Sequence, residues 1–275
     1  MSLSAETIPE TVELPALELR LARSETDIEA AQRLRYQVFC EELGAFGLRD
    51  DLRPGLDHDR FDAFCDHLLV IDPARPAATS VVGTYRLLPG SRLDRAGDFY
   101  SASEFDLAPL LANGPSPEKL LECGRSCVAA GYRSNHTVQL LWRGIAAYMA
   151  DHRIEAMFGC ASLNGTNPEA LAPAIAFMQH HALAPKDLRV TVLADQALQA
   201  DFSRTPVPDR RTALKALPPL IKAYLRLGAW VGQGAAVDPV FDTTDVFVLL
   251  PTNRIPTRYH ARFDSKNGGR VAGRD

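Results

Sequence analysis

The segment KLLECGRSCVAAGYR, residues 119–133, combines an apolar strand-like run with two opposite charges near its middle. On a regular strand, residues three apart point to opposite faces, so Glu122 and Arg125 would each be a lone charge among apolar side chains. Burial of an unpaired charge is strongly unfavourable. A β-bulge near Gly124 would bring both onto one face, where they would pair or serve one site; otherwise each needs its own partner. A buried ion pair that only fixes the fold is an equally good explanation of this segment.

The order of strand and helix patterns favours one α/β or α+β domain with a mixed sheet flanked by helices. No glycine-rich phosphate loop follows a strand, which argues against a doubly wound nucleotide-binding fold. We expect a flexible lead-in over 1–15, a single domain over 16–255 and a disordered tail over 256–275. Apolar runs and periodicity predict strands at 17–22, 64–72, 80–89, 120–128, 155–163, 187–194 and 245–251, and helices at 24–41, 107–112, 134–152, 167–183 and 218–228.

Charge and cysteine content limit the classes of function. A net charge of −4 over 275 residues gives no electrostatic reason to expect a nucleic-acid partner. The five cysteines are odd in number and form no CxxC pair, which favours reduced thiols in a cytoplasmic protein and no metal site. The sequence shows no signal peptide and no bilayer-length apolar run. The apolar segment 220–230, with Lys222 and Arg226, leaves two alternatives open: peripheral association with the inner membrane, or packing in the core.

Further charges lie near the same predicted strands. Arg86 interrupts the apolar strand SVVGTYRLLP, and an aspartate cluster precedes another strand. Taken singly, a solvated helix face explains Arg35 and a solvated turn explains Asp57, Asp59 and Asp62. The DxDxDG pattern of a calcium loop is absent. Taken together, arginines and a glutamate in neighbouring strands, beside an acidic loop, indicate a pocket for a charged small molecule.

These segments resemble a known family. The chain is similar to the acyl-transferring branch of the GNAT-like superfamily, and its first half resembles the acyl-homoserine lactone synthases. Over about residues 17–260 it more closely resembles the ornithine–acyl carrier protein N-acyltransferases that make lyso-ornithine lipid. The matching segments are RYQVFCEELG (35–44), DRFDAFCDHLLV (59–70), GTYRLLP (83–89), LLECGRSCV (120–128), LLWRGIAAYM (140–149), MFGCASLNGT (157–166) and 218–251. The last two of these segments are the most specific, because the lactone synthases lack that C-terminal extension.

The resemblance implies a mixed, splayed sheet whose fourth strand, 120–128 here, carries a bulge. It also implies that an acyl chain, usually 3-hydroxyacyl, is transferred from acyl carrier protein to the α-amino group of ornithine. The phosphopantetheine arm of the carrier would lie where strands 120–128 and 155–163 part, and no cofactor would be bound. Backbone N–H groups of Ser126, Cys127 and Val128 would line this acyl-donor cleft and stabilise the oxyanion of the thioester.

The resemblance also implies a set of site residues. We expect Glu122 to be the base that takes a proton from the attacking amine. Arg125 or Arg86 would hold the carboxylate of the acceptor. Asp59 or Asp62 would hold its side-chain ammonium. The positions that match the signature of the lactone synthases are Arg35, Phe39, Asp59, Asp62, Arg86, Glu122 and Arg125.

Two departures from related families bear on the substrates. Residues 43–46 read Leu-Gly-Ala-Phe where the lactone synthases have a tryptophan, which favours an amino acid acceptor over S-adenosylmethionine. The loop VAAGYRSNH, 128–136, is a loose version of the acetyl-CoA pyrophosphate loop, as expected for a donor without a nucleotide. A lactone synthase, an acetyl-CoA-dependent acyltransferase and a non-catalytic acyl- or lipid-binding protein remain the alternatives.

Three arginines follow the cleft strand. Arg133, Arg143 and Arg153 recur at ten-residue steps on the predicted loop and helix. Because acyl carrier protein is acidic, these arginines would form a docking patch for it. Scattered solvating charges explain each of them equally well.

Overall fold

An eight-stranded mixed sheet organises the part of the chain that this computed structural model describes, residues 16–45 and 53–256. The expected lead-in over 1–15, and all of the expected tail except residue 256, lie outside the described residues. The strands are β1 (Glu18–Leu21), β2 (Asp66–Ile71), β3 (Val81–Pro89), β4 (Phe105–Asp106), β5 (Leu120–Val128), β6 (Ala156–Asn164), β7 (Thr191–Val192), β8 (Trp230–Val231), β9 (Ala236–Asp238) and β10 (Thr243–Pro251).

The sheet runs in the order β1-β2-β3-β5-β6-β10-β8, with β9 also paired to β10, while β4 and β7 form a separate two-stranded ribbon. The β5–β6 pair is parallel, and the other pairs are antiparallel. Pairing between β5 and β6 covers Leu120–Glu122 against Ala156–Phe158, and beyond it the strands part. Gly159 lies at the split, where a Cβ would overlap the carbonyl oxygen of Cys123. The predicted mixed, splayed sheet is therefore confirmed.

A bulge interrupts the pairing of β3 with β5. Thr84 faces Cys127 and Arg86 faces Gly124, so two residues of β5 oppose the single residue between them on β3. Arg125, within the bulge, has a φ of 49°. This left-handed region is unfavourable for a residue with a Cβ by about 1–2 kcal/mol. The bulge predicted near Gly124 is confirmed, and its backbone is strained at an arginine.

The helices surround the sheet largely where the sequence predicts them. The first begins at Ser24, whose side chain accepts the N–H of Asp27, and it continues as a π-helix over Gln37–Glu42. Of the strand predicted at 187–194, only Thr191–Val192 forms a strand, and Lys186–Leu188 at its start forms a 3-10 turn. The helices are α1 (Glu25–Tyr36), α2 (Leu93–Ala96), α3 (Ala108–Asn113), α4 (Asn135–Asp151), α5 (Pro168–Ala182), α6 (Arg210–Ala216) and α7 (Pro219–Arg226).

Helix α7 resolves the question raised by segment 220–230. Ile221 and Tyr224 are buried in the main hydrophobic cluster, and the hydroxyls of Tyr85 and Tyr224 lie 2.5 Å apart. The apolar side of this helix therefore packs in the core. Among the described residues, none of the helices has the length and apolarity that a bilayer span requires.

Candidate active site

A cavity of about 260 Å³ opens where β5 and β6 part. Both strands contribute residues that lie beyond their last paired positions, namely Gly124, Arg125 and Ser126 from β5 and Cys160, Ala161 and Ser162 from β6. Strands β3 and β10, the turn at 100–101 and the segment 238–241 also contribute to the wall. The split in the sheet thus creates a concave site lined by both polar and apolar groups, as small-molecule sites generally are.

Arg35 lies in a buried network behind this cavity and is not among the residues that line it. Its Nε lies 2.7 Å from Oδ2 of Asp57, and its two terminal nitrogens each lie 2.8 Å from an oxygen of Asp62. Burial opposes ionisation of Asp62, but the charge and hydrogen bonds of Arg35 hold the pKa of Asp62 well below its usual value. The network is therefore charged and internally balanced.

Arg86 extends the network to the cavity wall. Its Nη1 lies 2.7 Å from Oδ1 of Asp59 and 3.3 Å from Oδ1 of Asp62. The two aspartates also cap the 3-10 turn Arg60–Ala63 reciprocally. Burial raises the pKa of Asp59, but Arg86 and Arg125 outweigh it and lower the pKa overall. Both aspartates expected to bind a substrate ammonium are thus paired with arginine.

Arg125 keeps spare hydrogen-bonding capacity, although its Nη1 donates weakly to the Tyr100 hydroxyl at 3.4 Å. It lines the cavity between two aromatic rings, with its guanidinium carbon 4.8 Å from the Tyr100 centroid and 5.0 Å from the Phe241 centroid. Its Nε and Nη2 stay 3.6 Å from Asp57 and 3.5 Å from Asp59, respectively. The buried Nε has no hydrogen-bond partner. This geometry fixes the guanidinium of Arg125 in the cavity wall, between the rings of Tyr100 and Phe241.

Glu122 also lines the cavity, so the bulge brings both charges of the strand to one site. The backbone N–H groups of Tyr100 and Ser101 each donate to its carboxylate at 2.7 Å, and the Ser101 hydroxyl donates at 2.5 Å. Burial raises the pKa of Glu122, against the effect of these donors. Glu122 therefore fixes the turn that carries Tyr100, in addition to any role in proton transfer.

Two carboxylates and a thiol form a second group beside the cavity, contributed by β6, β10 and the turn that ends at Glu104. One oxygen from each of Glu104 and Asp245 and the Sγ of Cys160 all lie within 4.8 Å of one another. Burial and the neighbouring Asp245 raise the pKa of Glu104 to about 8, and burial raises the pKa of Asp245 to about 6. Among the described residues, no ion pair joins either carboxylate to a lysine or arginine. This set could supply three metal ligands, so the absence of a metal stays a prediction.

Other predicted site residues lie around the split. Phe39 lines the cavity and packs edge-on against Phe241, with ring centroids 5.7 Å apart. Ser126 lines the cavity, whereas Cys127 is buried in the core. Ala129 N–H donates to Val82 in β3. Because the hydrogen-bonding direction alternates along an antiparallel pair, the N–H of Val128 points away from β3, towards the split.

The three arginines expected to bind a carrier protein are exposed but dispersed. Arg133 pairs with Glu42 and donates to the carbonyl of Val128, which places it at the split. Arg143 lies on α4, and Arg153 follows its last turn. Since α4 has 17 residues, its two ends are about 25 Å apart. The structure therefore does not bring Arg133 and Arg153 together.

Sequence reasoning missed several residues of the site. Tyr100, Ser101 and Glu104 come from a stretch without periodicity, which gave no signal. Asp245, by contrast, precedes the apolar run VFVLL in a predicted strand. That is the same signal that singled out Glu122, and it would have identified Asp245.

A mixed sheet split between two parallel strands, with a bulge and a charged cavity at the split, is the arrangement of a GNAT-like acyltransferase. Residues 34–143 match the family model for an acetyltransferase (GNAT) domain. The chain is 46% identical over 246 residues to the L-ornithine N(alpha)-acyltransferase of Brucella abortus, covering 89% of this chain and 87% of that protein. It is 44% identical over 255 residues to the enzyme of the same name from Rhodobacter capsulatus, covering 92% and 96%.

The chain therefore belongs to the L-ornithine N(alpha)-acyltransferase family and is an acyltransferase. The resemblance seen in the sequence is confirmed. Among solved structures, the acyl-homoserine lactone synthase LasI is similar at 13% identity and a TM-score of 0.48, over 94% of this chain and 97% of that one.

Proposed function

We propose that the protein transfers an acyl chain from the phosphopantetheine arm of acyl carrier protein to the α-amino group of L-ornithine, giving lyso-ornithine lipid. The observation that carries this proposal is the cavity at the split of β5 and β6, with the guanidinium of Arg125 held in its wall. The names of the relatives support ornithine as the acceptor.

The loop between β5 and α4 supports a donor that lacks a nucleotide. It consists of the 3-10 turn Ala130–Tyr132 and its flanks, and VAAGYRSNH contains a single glycine. A pyrophosphate bound at a helix N-terminus generally needs closely approaching backbone N–H groups, which glycine-rich loops provide. The pantetheine arm of a carrier protein has no pyrophosphate and does not need such a loop.

The reaction is aminolysis of a thioester. The neutral α-amine attacks the thioester carbon, the C–N bond forms, and the C–S bond breaks to release the thiol of the carrier. The proton lost by the amine goes to Glu122, directly or through one water, and the departing sulfur takes up a proton. The N–H of Val128 stabilises the oxyanion; loss of one such donor is worth about 3 kcal/mol.

Arg125 holds the carboxylate of the acceptor, assisted by Arg86. Arg125 lines the cavity, and its planar group suits bidentate contact with a carboxylate. The rings of Tyr100 and Phe241 fix its orientation, and Phe39 supports the ring of Phe241. This orientation places the α-amine between the two halves of the split sheet.

The carrier protein docks at the split, beside Arg133. Replacement of Arg133 by Ala should raise the KM for the acyl carrier protein and leave the KM for ornithine unchanged. Arg153→Ala removes the same charge at the far end of α4 and serves as the matched control. An equal rise in both variants would instead support a patch that includes all three arginines.

A thiol-release assay tests the proposed reaction. Purified protein receives 3-hydroxyacyl carrier protein with ornithine, with other amino acids or with S-adenosylmethionine, and mass spectrometry identifies the product. We expect ornithine-dependent release of thiol and a product with the mass of N-acylornithine. Absence of release with every acceptor, from folded protein that still binds the carrier, would contradict the proposal and support a binding protein.

A further inference from the structure

The two sides of the cavity differ in charge balance. On one side, Arg35, Arg86 and Arg125 face three aspartates at distances of 2.7–3.6 Å. The other side, which we call the carboxylate wall, consists of Glu104, Cys160 and Asp245. Within the described residues, its carboxylates have no lysine or arginine as an ion-pair partner. A buried carboxylate without a counter-charge is unfavourable unless it is protonated or binds a cation.

The carboxylate wall reaches the cavity through Cys160 and Asp245, and Glu104 contacts them without lining the cavity itself. Cys160 and Asp245 line the cavity, and Asp245 is 6% exposed. Glu104 is 7% exposed and lies against both of them, and its Oε2 is buried without a hydrogen-bond partner. Thr243 donates to Asp245 at 3.2 Å, which leaves further acceptor positions on that carboxylate. The wall therefore offers the cavity the acceptor oxygens of Asp245, with Glu104 next to it, and no ion pair among the described residues neutralises either carboxylate.

Arg125 lines the same cavity as Cys160 and Asp245. Arg125 acts on the charges of both Glu104 and Asp245 through space, so the guanidinium and the carboxylates share one site. A molecule with a carboxylate at one end and a cation at the other would satisfy both sides together. An ammonium group has three donors, which match the acceptors of the wall.

We propose that Asp245 and Glu104 receive the side-chain ammonium of a dibasic amino acid acceptor and so select it over neutral amino acids. This inference rests on the proposed function, because it assigns an end of the same substrate. It replaces Asp59 and Asp62 as the ammonium site, since arginines already pair with those two residues.

The state of the carboxylates supports the assignment. Burial raises the pKa of both Asp245 and Glu104, and the two carboxylates raise each other's proton affinity, so the wall holds a proton more readily than ordinary carboxylates do. Asp238 and Cys160 face these groups from β9 and β6, and Arg125 faces them from β5. A side-chain amine keeps its proton throughout the pH range in which these carboxylates titrate, because its own pKa is about 10.4. Binding of the ammonium therefore displaces protons from the wall, and it strengthens as pH rises through this range.

The test compares ornithine with norvaline, which has the same carbon skeleton and no side-chain amine. The quantity measured is the ratio of kcat/KM for the two acceptors. In wild type we expect ornithine to be strongly preferred. Asp245→Asn should lower this ratio by about 10²-fold, because loss of one partner of a buried charge pair is that damaging. Glu169→Gln, an exposed change of the same charge on α5, should leave the ratio unchanged.

Two further measurements keep the test decisive. If Asp245→Asn fails to fold by circular dichroism, Glu104→Gln provides the same comparison at the other carboxylate. The ratio should also rise with pH between about 6 and 8 in wild type, in line with the pKa values of the wall, and lose this rise in Asp245→Asn. The α-amine titrates in both acceptors, so its effect cancels in the ratio.

The outcomes separate the two proposals. If wild type acylates ornithine and Asp245→Asn keeps the full preference for it, the ammonium site is wrong and the proposed function stands. If wild type does not acylate ornithine, both fail. A stoichiometric divalent metal in wild type that Asp245→Asn lacks, measured by elemental analysis, would also overturn the ammonium site.

Discussion

The two sides of the cavity use buried charge in opposite ways. On the arginine side, Arg35 and Asp62 lie within hydrogen-bonding distance behind the cavity and neutralise each other. On the carboxylate wall, Glu104 and Asp245 remain next to each other, and burial raises the pKa of both. The first arrangement holds loops and strands together before any substrate arrives. The second is satisfied when a cation enters, which makes it a recognition element and not a structural one.

This comparison is most strongly tested at Arg35. Arg35→Ala leaves Asp57 and Asp62 buried with one partner fewer, so the free energy of unfolding should fall by about 3–5 kcal/mol. Urea denaturation followed by circular dichroism measures the change. Arg92→Ala breaks a half-exposed pair with Asp66 and should lower stability by at most about 1 kcal/mol. Equal losses in the two variants would contradict a structural role for the buried network.

Replacement of Arg125 should reduce activity much more than stability. Arg125→Gln removes the contact with the acceptor carboxylate, so kcat/KM for ornithine should fall by about 10²-fold. Stability should fall less than in Arg35→Ala, because Asp57 and Asp59 keep the shorter bonds from Arg35 and Arg86. Steady-state kinetics and urea denaturation of both variants check this. A stability loss as large as that of Arg35→Ala would show that Arg125 belongs to the structural network.

The carboxylate wall should make the protein less stable as pH rises. Because the folded pKa of Glu104 is raised from 4.5 to about 8, the native state holds a proton there that the unfolded state releases. Its contribution to stability is complete below pH 4.5 and is lost as pH rises towards 8. Glu104→Gln lacks this pH-dependent loss, so its stability relative to wild type should increase by up to about 5 kcal/mol across that range. Urea denaturation at several pH values measures the gain; a difference that does not vary with pH would disprove the raised pKa.

Replacement of Ser101 should give the smallest effect, a shift in the pH profile of kcat/KM. Its hydroxyl and N–H both stabilise the ionised form of Glu122, so Ser101→Ala should raise the pKa of that carboxyl further. If Glu122 is the base, the acidic limb of the pH profile of kcat/KM should move to higher pH by up to about one unit. If Glu122 only fixes the turn, the rate should fall at every pH without a shift of that limb.

Two members of the arginine side were predictable, because Arg86 and Arg125 interrupt apolar strands. The lone charges at Glu122 and Arg125 require a bulge, and β5 has one. Asp245 gives the same local signal, but its partner Glu104 lies in an aperiodic turn more than 100 residues away in the sequence. Pairing of β10 with β6 sets Asp245 opposite Ser162, and no local pattern specifies its approach to Glu104.

The helix predictions held where caps and periodicity agreed, as at Ser24, whose side chain caps α1 as expected. The dispersal of the three arginines depends on the length of α4 and its path along the sheet. The ten-residue spacing in the sequence does not predict this dispersal, which arises because Arg133 and Arg153 flank opposite ends of that helix.

The central claim is that the two sides of the cavity hold opposite ends of one amino acid. The direct measurement is kcat/KM for ornithine, norvaline and ornithinamide, whose carboxylate is replaced by a neutral amide, in wild type, Arg125→Gln and Asp245→Asn. We predict that Asp245→Asn loses the preference over norvaline alone, and that Arg125→Gln loses the preference over ornithinamide alone. If each variant lowers kcat/KM for all three acceptors by the same factor, Arg125 and Asp245 do not recognise the carboxylate and the side-chain ammonium, and the account is wrong.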